Sequence, residues 1–363
     1  MAGTCTTDPL VEMLHKWYES TDVTGNFVRM LFLDYSKAFD LINHDILLNK
    51  MTGMEVPAHL VRWMAAFLLD REQRVKIGDA VSKPGYPNGG VPQGTLSGPK
   101  HFLVHINDLQ TPCPIYKYVD DSTIFEICNQ DMVSVIQDSA DIVEQWSCNN
   151  DMRINTTKTK EMVICFRRDR TFVDSLPYIY MNGNYIERVS QAKVLGVTIS
   201  SDLSWNAHVD EIISKARKRV YMIYQLKRAG INQNDLIRIY VSVIRPVVEY
   251  ACPVWHTNLP KYLSDNIEII KKRCLKTIFP GYQYENILQM VNLPTLYRRR
   301  DELCRVYFAK MKNNDHKLNA LLPNGRNVPY ALRLCNTLPI PRAKTNRYKK
   351  SLIPWCLEHF QIG

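Results

Sequence analysis

The first hundred residues alternate between helical and strand-like patterns of apolar positions. Apolar residues at helical spacing run through "DPLVEMLHKWYEST", and the β-rich run "FVRMLFLDY" that follows is typical of a buried strand. Helical patterns return in "HDILLNKM" and in "PAHLVRWMAAFLLD", where Pro57 favours the first turn of a helix. A further helix is predicted from about Leu96 to Asn107. This order of elements indicates a mixed α and β domain.

Strand-like runs are frequent up to residue 200. "QRVKIG" predicts a strand before the Gly/Pro-rich loop "KPGYPNGGVPQG", and "KYVDDSTIFEI" predicts a hairpin. A helix is predicted from Met132 to Trp146. The runs "EMVICF", "YIYMNGNYI" and "AKVLGVTI" are again strand-like, and Asn-Gly in the second of them indicates a hairpin turn.

After Ser200 the pattern changes to long basic amphipathic helices, such as "HVDEIISKARKRVYMIYQLKRAG", which Gly230 ends. We therefore predict two domains, residues 1–200 and 201–363. The formal charge changes at the same place, from −5 over the first range to +15 over the second. A basic half favours a polyanionic partner such as nucleic acid, although a solvated, lysine-rich helical surface has the same charge.

The composition makes several protein classes improbable. No run approaches the roughly 20 apolar residues that a membrane-spanning helix needs, and the N-terminus lacks the pattern of a secretion signal. The ten cysteines are scattered singly, without a C-x-x-C pair. We expect a cytosolic or nuclear protein with reduced thiols and no membrane partner.

Three aspartates suggest a metal site. Asp120 and Asp121 stand side by side in the apolar hairpin, and Asp34 ends the strand "MLFLD". Carboxylates that converge at strand ends repel each other unless a cation neutralises them, and Mg²⁺ prefers such oxygen ligands. Two such ions support in-line phosphoryl transfer. A turn or cap role would explain Asp34 alone, but a turn needs only one aspartate, so the doubled pair favours the metal.

The motifs together resemble a known family. "FLDYSKAFD", "GGVPQGTLSGP" and "YVDD" occur in this order, with "HFLVHINDL", "INTTKTK", "KVLGV" and "VIRPVVEYACPVWH" around or after them. They resemble the reverse transcriptase domain of non-LTR retrotransposons, the long interspersed elements. The resemblance implies an α+β fold, with a polymerase palm of a small antiparallel sheet and packed helices, a helical thumb and a basic C-terminal extension. It also implies RNA-directed DNA synthesis from an RNA template, a DNA primer and deoxynucleoside triphosphates.

The resemblance also assigns the metal ligands. Motif A of the family corresponds to "FLDYSKAFD" and motif C to "YVDD". Asp34 of motif A and Asp120 of motif C would hold two Mg²⁺ ions, for which Mn²⁺ is a possible substitute, and Asp121 would assist. Phe39 falls where the family keeps an aromatic ring beneath the incoming sugar. A ring there leaves no space for a ribose 2′ hydroxyl, and ordinary core packing of Phe39 is compatible with that role.

Further roles follow from the other motifs. Gln93 and Gly94 lie in "GGVPQGTLSGP", which corresponds to motif B. There the glutamine would bind nucleotide or template, and the glycine would let the backbone approach closely. Lys158 would protonate the departing pyrophosphate, with Lys160 as a competing candidate. Leu195 and Gly196 resemble the primer grip.

The form "SKAFD" distinguishes the chain from retroviral enzymes, and both Asp40 and His44 belong to that signature. We interpret Asp40 as the cap of the helix that begins near Asn43, since a short polar side chain suits that position. A metal-ligand role for Asp40 is the less favoured interpretation.

The sequence departs from the family pattern in two places. It begins at the helix just before motif A, without the upstream fingers or an endonuclease, and Asp151 stands where motif D commonly has glycine. We therefore expect the downstream part of a longer protein, which polymerises poorly or not at all on its own. The alternative function is a catalytically weak or inactive remnant that binds RNA or DNA through its basic C-terminal half.

Overall fold

A computed structural model describes residues 5–92, 94–129, 132–169, 171–325 and 338–360. The chain forms two compact units. The first, here called the sheet unit, comprises Val28–Val163 and Arg168–Ser190. The second, the helical unit, comprises the chain up to Phe27, Ile164–Arg167 and the chain from Gln191 onward.

The elements up to residue 128 are α1 (Thr7–Ser20), β1 (Phe27–Leu33), α2 (His44–Gly53), α3 (Ala58–Leu68), β2 (Lys76–Ile77), β3 (Ala80–Val81), α4 (Gly98–Ile106), β4 (Ile115–Tyr118) and β5 (Asp121–Cys128). They are followed by α5 (Ile136–Asn149), β6 (Lys160–Cys165), α6 (Thr171–Ser175), β7 (Tyr180–Met181), β8 (Asn184–Tyr185), β9 (Glu187–Arg188), β10 (Gln191–Val194) and β11 (Val197–Ser200).

Beyond residue 200 the elements are helical: α7 (Asn206–Arg228), α8 (Gln233–Ile239), a π-helix (Tyr240–Ile244), α9 (Arg245–Glu249), α10 (Cys252–Trp255), α11 (Lys261–Ile278), α12 (Tyr284–Met290), α13 (Leu296–Met311), a 3-10 helix (Lys317–Leu321), α14 (Asn346–Lys349) and α15 (Leu352–His359). No helix in the described part of the chain is long and apolar enough to cross a membrane.

The sheet unit is built around a five-stranded sheet in the order β4-β5-β1-β6-β9. β4 and β5 pair antiparallel, with Tyr118 opposite Asp121, so that Val119 and Asp120 form the turn between them. At the other edge β9 pairs with β6 in parallel. Because β1 lies between β5 and β6, residues that follow β1 are brought close to the elements that carry the other predicted site residues.

Apolar side chains from the sheet and its helices form one core. Leu31 and Ile124 from the sheet join Leu47 of α2, Phe102 of α4 and Val143 of α5, and none of the five is more than slightly exposed. Complete burial of a side chain of this size stabilises the fold by about 1.5–3 kcal/mol. The core therefore fixes α2, α4 and α5 on the sheet that carries the site.

A group of charged side chains is also buried in the sheet unit. Arg29 of β1 donates through Nε to Glu161 of β6 at 2.5 Å, and Arg188 of β9 donates through Nε to the same carboxylate at 3.0 Å. Arg29 also donates to the Ser134 hydroxyl at 3.1 Å. These bonds join β1, β6 and β9 in the interior of the protein.

The helical unit does not begin at the predicted boundary, residue 200, because it also includes the N-terminal helix α1 and the chain from Gln191 onward. α1 packs against α10, α14 and α15, so the N-terminal helix belongs with the C-terminal ones. The Asp22 carboxylate accepts hydrogen bonds from the N–H groups of Lys344 at 2.8 Å and Thr345 at 2.7 Å. β11 packs against α7, which in turn lies along α11. Contacts between residues distant in sequence, rather than the change in composition, set these limits.

The structure confirms the α+β class and most predicted elements, with some differences in extent. "AKVLGVTI" is not one strand but the hairpin β10–β11, because Leu195 and Gly196 both have positive φ and reverse the chain. The strand predicted at "QRVKIG" is only the two-residue β2. The helix predicted from Met132 begins at Ile136.

Candidate active site

Two hydrogen bonds to its own main-chain groups hold Asp34 in place directly after β1. Its N–H donates to the hydroxyl of Thr159 at 3.2 Å, and its carbonyl accepts from the N–H of Asn155 at 2.8 Å. Thr159 is fully buried, so this bond is shielded from water. Both partners come from "INTTKTK", which ties the end of motif A to the segment that carries Lys158.

The hairpin that carries Asp120 and Asp121 has an unusual turn. Val119 adopts a positive φ of 56°, a conformation that is rare for a β-branched residue. Such strained residues concentrate at functional sites, where the surrounding structure holds them in place. In this turn Asp120 is exposed at the tip, and Asp121 begins β5.

Two of the predicted aspartates, Asp34 and Asp120, act electrostatically on the third, Asp121. Although Asp121 is an exposed residue, partial desolvation of its carboxyl raises its pKa, and the negative charges of Asp120 and Asp34 raise it further. The strand β5, which Asp121 begins, is also the neighbour of β1, which Asp34 follows. The Lys158 ammonium lies 3.9 Å from Asp34 Oδ2, so it is next to one of these carboxylates.

Lys160, the competing candidate, is engaged elsewhere. Its ammonium donates to the carbonyl of Thr157 at 2.6 Å and pairs with the Glu187 carboxylate. Of the two lysines, Lys158 is the one that the structure brings to Asp34.

The donor set fits a hard divalent cation. The charges of Asp34 and Asp120 act on Asp121, and one exposed lysine lies next to Asp34, so an excess of negative charge remains that such a cation would neutralise. Among the residues that the structure describes, no group of three or more His, Cys, Asp or Glu side chains could hold a metal ion through protein ligands alone. Mg²⁺ retains water molecules and binds substrate phosphates alongside one or two carboxylates, so it does not require a complete set of protein ligands.

Hydrogen bonds between main-chain groups join motif A to motif B. The N–H of Val91 donates to the carbonyl of Phe39 at 2.9 Å, and that of Gly90 donates to the carbonyl of Ile42 at 2.8 Å. His44 Nε2 lies 2.8 Å from the Gly90 carbonyl and is buried. His44, which the sequence motif included without a role, therefore holds the motif B loop.

The role predicted for Asp40 is wrong. The cap of α2 is Asn43, whose side-chain oxygen accepts from the N–H groups of Asp45 at 2.9 Å and Ile46 at 3.3 Å. The Asp40 main chain instead lies against Gly90. A Cβ at Gly90 would be 2.8 Å from the Asp40 carbonyl oxygen, and the φ of Gly90 is +77°, so glycine is required there.

The departure at Asp151 also has a structural account. This residue has a φ of +55°, the left-handed conformation that glycine adopts without strain. Its carboxylate accepts a hydrogen bond from the Asn43 side-chain amide at 2.8 Å. Asp151 thus adopts a conformation in which glycine would be unstrained, and it also binds the side chain that caps α2.

The remaining predicted nucleotide-binding residues are only partly described. The half-buried ring of Phe39 packs on Phe102 of α4, with 5.2 Å between ring centroids. Gly94 has a φ of +81° and open space around its Cα. Gln93 lies outside the described residues.

The predicted primer grip belongs to the helical unit. Leu195 and Gly196 have φ of 46° and 82° in the turn between β10 and β11. The Tyr250 hydroxyl donates to the Leu195 carbonyl at 2.8 Å, and a Cβ at Gly196 would lie 3.1 Å from the Tyr250 ring. Tyr250 and Thr159 are residues that the sequence analysis missed. Both lie inside quoted motifs, but no spacing rule joins them to their partners.

Comparison with known proteins identifies the family of the chain. The family model described as reverse transcriptase (RNA-dependent DNA polymerase) matches residues 7–199, more than half of the chain. The chain therefore belongs to the reverse transcriptase family.

Its curated relatives are polymerases of mobile elements. The probable RNA-directed DNA polymerase from transposon X-element of Drosophila melanogaster is 27% identical over 291 residues, which are 76% of this chain and 31% of the relative. The RNA-directed DNA polymerase from mobile element jockey of the same species is 24% identical over 304 residues, 79% of this chain and 32% of the relative. The resemblance to non-LTR retrotransposons is confirmed, and the chain spans about a third of the length of these relatives.

Among solved structures, a telomerase from Candida tropicalis in complex with a fragment of telomeric RNA covers 79% of this chain and 52% of its own, at 10% identity. Its TM-score is 0.39, which is too low to support an argument about this chain.

Proposed function

We propose that this chain provides the polymerase centre of a retrotransposon reverse transcriptase, which extends a DNA primer along an RNA template. The observation that carries the proposal is the position of Asp34 directly after β1, the strand next to the hairpin that carries Asp120 and Asp121, where the charges of Asp34 and Asp120 raise the pKa of the Asp121 carboxyl. Membership of the reverse transcriptase family supports the same reaction.

Each residue of the centre has a distinct part in the proposed reaction. Two Mg²⁺ ions, or Mn²⁺ in their place, held by Asp34, Asp120 and Asp121, would activate the primer 3′ hydroxyl and neutralise the pyrophosphate leaving group. The main chain of Asp34 is fixed by its bonds to "INTTKTK", so its carboxylate starts from a defined position. Lys158 is exposed enough to move from Asp34 to a phosphate oxygen and donate a proton there.

Selection of deoxynucleotides is assigned to Phe39. Its contact with Phe102 supports the ring from below, and the bond from Val91 N–H fixes its carbonyl. A ring held in this way would collide with a ribose 2′ hydroxyl. Gly94, together with Gln93, would shape the other side of the nucleotide pocket.

Primer extension on poly(A) with an oligo(dT) primer, dTTP and Mg²⁺ tests the proposal. Asp120→Asn is expected to lower the rate of extension at least about a thousandfold, because the reaction depends on the charge that this carboxylate contributes. Asp79→Asn is the matched control, since Asp79 is exposed in the turn between β2 and β3 and the change in charge is the same. Extension that survives Asp120→Asn would exclude the assigned centre.

The alternative function, binding of RNA or DNA without catalysis, has its own structural support. On α7 the residues Arg217, Tyr221, Tyr224 and Arg228 follow each other at helical spacing and are exposed. Tyr221 is 63% exposed and Tyr224 48%, although both are aromatic. The Arg228 guanidinium lies 5.7 Å from the centre of the Tyr224 ring. Two aromatic rings flanked by two cations suit stacked bases and phosphates.

Binding of single-stranded RNA at several salt concentrations tests this surface. Replacing both Tyr221 and Tyr224 by alanine is expected to weaken binding about tenfold or more, because stacking contributes about 1–3 kcal/mol per base. The wild-type affinity should fall steeply between low and physiological salt. Tyr282→Ala, at another exposed tyrosine of the helical unit, is the control. Binding that is intact in Asp120→Asn while extension is absent in every variant, including the wild type, would favour the alternative.

A further inference from the structure

The strand that leads into the catalytic hairpin lies at an exposed position in the sheet. β4 is the edge strand, has four residues and pairs with β5, and none of its residues is fully buried. The turn that follows it contains the strained Val119. A short edge strand that precedes a strained turn needs support from outside the hairpin if Asp120 is to keep one position.

Lys117 of β4 provides such a contact. Its ammonium donates to the carbonyls of Ile106 at 3.0 Å, Asn107 at 3.0 Å and Leu109 at 2.9 Å. A lysine ammonium has three N–H donors, so all of them are used. The acceptors lie at the C-terminal end of α4, where helical carbonyls lack partners within the helix and the helix dipole favours a cation.

The same helix is connected to the other two motifs. α4 begins at Gly98, directly after the motif B loop, and its Phe102 supports the ring of Phe39. The motif B loop is bonded to the motif A segment through Val91. Lys117 is thus the last link in a series of contacts that runs from motif A through motif B and α4 to the hairpin of motif C.

We propose that Lys117 is a positioning residue, which fixes the catalytic hairpin against α4 and so sets the position of Asp120. The proposal rests on the proposed function only as far as Asp120 takes part in polymerisation. The simpler explanation is that Lys117 merely caps α4. Lys50 of α2 separates the two explanations, because it binds the same helix end, donating to the His105 carbonyl and to Asp108 Oδ1, both at 2.6 Å, without being part of the hairpin.

Hydrogen exchange on the whole chain tests the contact without any need for activity. In Lys117→Met, which keeps the length of the side chain, we expect amides of the β4–β5 hairpin to exchange at least about tenfold faster than in the wild type. Lys50→Met should speed exchange at the end of α4 but leave the hairpin within about twofold. Lys117→Arg keeps the charge but spreads its donors over a planar fork, so we expect an intermediate rate.

Unchanged hairpin exchange in Lys117→Met, or an equal increase in Lys50→Met, would overturn the proposal. If Lys117→Met does not fold, as judged by its thermal transition, the Lys117→Arg variant decides in the same way.

Primer extension then separates positioning from a purely structural role. For Lys117→Met we expect kcat to fall about tenfold or more while KM for dTTP changes less than about twofold, because Lys117 contacts no substrate in this proposal. Lys117→Arg should recover part of kcat, and Lys50→Met should keep it. A loosened hairpin with normal kcat would make Lys117 a structural cap and refute positioning. Absence of extension in the wild type would refute the proposed function for this chain on its own, and hydrogen exchange would still decide whether Lys117 holds the hairpin.

Discussion

Glu161 is the residue whose replacement should most destabilise the sheet unit. Its side chain has no exposed surface, and it accepts hydrogen bonds from Arg29, 2% exposed, and from Arg188. Glu161→Gln keeps the shape of the side chain but removes its charge, which leaves the Arg29 guanidinium buried without a counter-ion. Breaking a buried ion pair in this way costs about 3–5 kcal/mol in the free energy of unfolding. That is a large part of the roughly 5–15 kcal/mol that stabilises a typical protein.

A neighbouring ion pair provides the control. Lys160 and Glu187 join the same strands, β6 and β9, but the Glu187 side chain is 68% exposed. Glu187→Gln makes the same chemical change, yet exposed pairs contribute only about 0–1 kcal/mol. Urea unfolding followed by hydrogen exchange at β1 and β6 measures the free energy of unfolding in the unit that contains both pairs.

Two results would refute this reasoning. One is a Glu161→Gln variant within about 1 kcal/mol of Glu187→Gln. The other concerns the double variant Arg29→Met with Glu161→Leu, in which no buried charge is left at these two positions. It should be more stable than Glu161→Gln alone, because well-packed apolar side chains can replace a buried ion pair at little cost. If the double variant is destabilised by the sum of the effects of Arg29→Met alone and Glu161→Leu alone, the two side chains do not stabilise each other and the reasoning is refuted.

Three further predictions concern the loops and the helical unit. Gly90→Ala should destabilise the fold by about 2 kcal/mol or more and impair extension, because the new Cβ would meet the Asp40 backbone. Gly94→Ala adds a Cβ in open space at a similar φ, so it should destabilise the fold by only about 1–2 kcal/mol, and thermal unfolding compares the two variants. Tyr250→Phe should cost about 1 kcal/mol and speed hydrogen exchange in the turn between β10 and β11, and unchanged exchange would show that the hydroxyl is dispensable. Burial lowers the pKa of His208 to about 4, below its ordinary 6.5, so between these values the folded state binds fewer protons than the unfolded state. Stability should therefore fall as pH drops from about 6.5 to 4, and His208→Gln should flatten that dependence in urea unfolding. An unchanged slope in the variant would assign the pH dependence to other groups.

The sequence by itself determined the elements and the motifs. Periodicity located α1, β1 and α7, because burial of one face of a helix or both faces of a strand leaves a regular pattern. The doubled aspartate in an apolar hairpin and the order of the motifs indicated the reverse transcriptase family, which the family match confirmed. These are properties of residues close together in the chain, so a sequence displays them directly.

Only the tertiary structure decided which residues hold the motifs in place. Asn43 rather than Asp40 caps α2, a difference of three positions that depends on where the main chain turns toward Gly90. Lys117 meets the end of α4, and Tyr250 meets a turn 55 residues earlier. The choice of Lys158 over Lys160 beside Asp34 likewise depends on Glu187, a residue of another strand. Such contacts depend on distances in space between groups that share no periodic pattern, and for this reason no local spacing in the sequence predicts them.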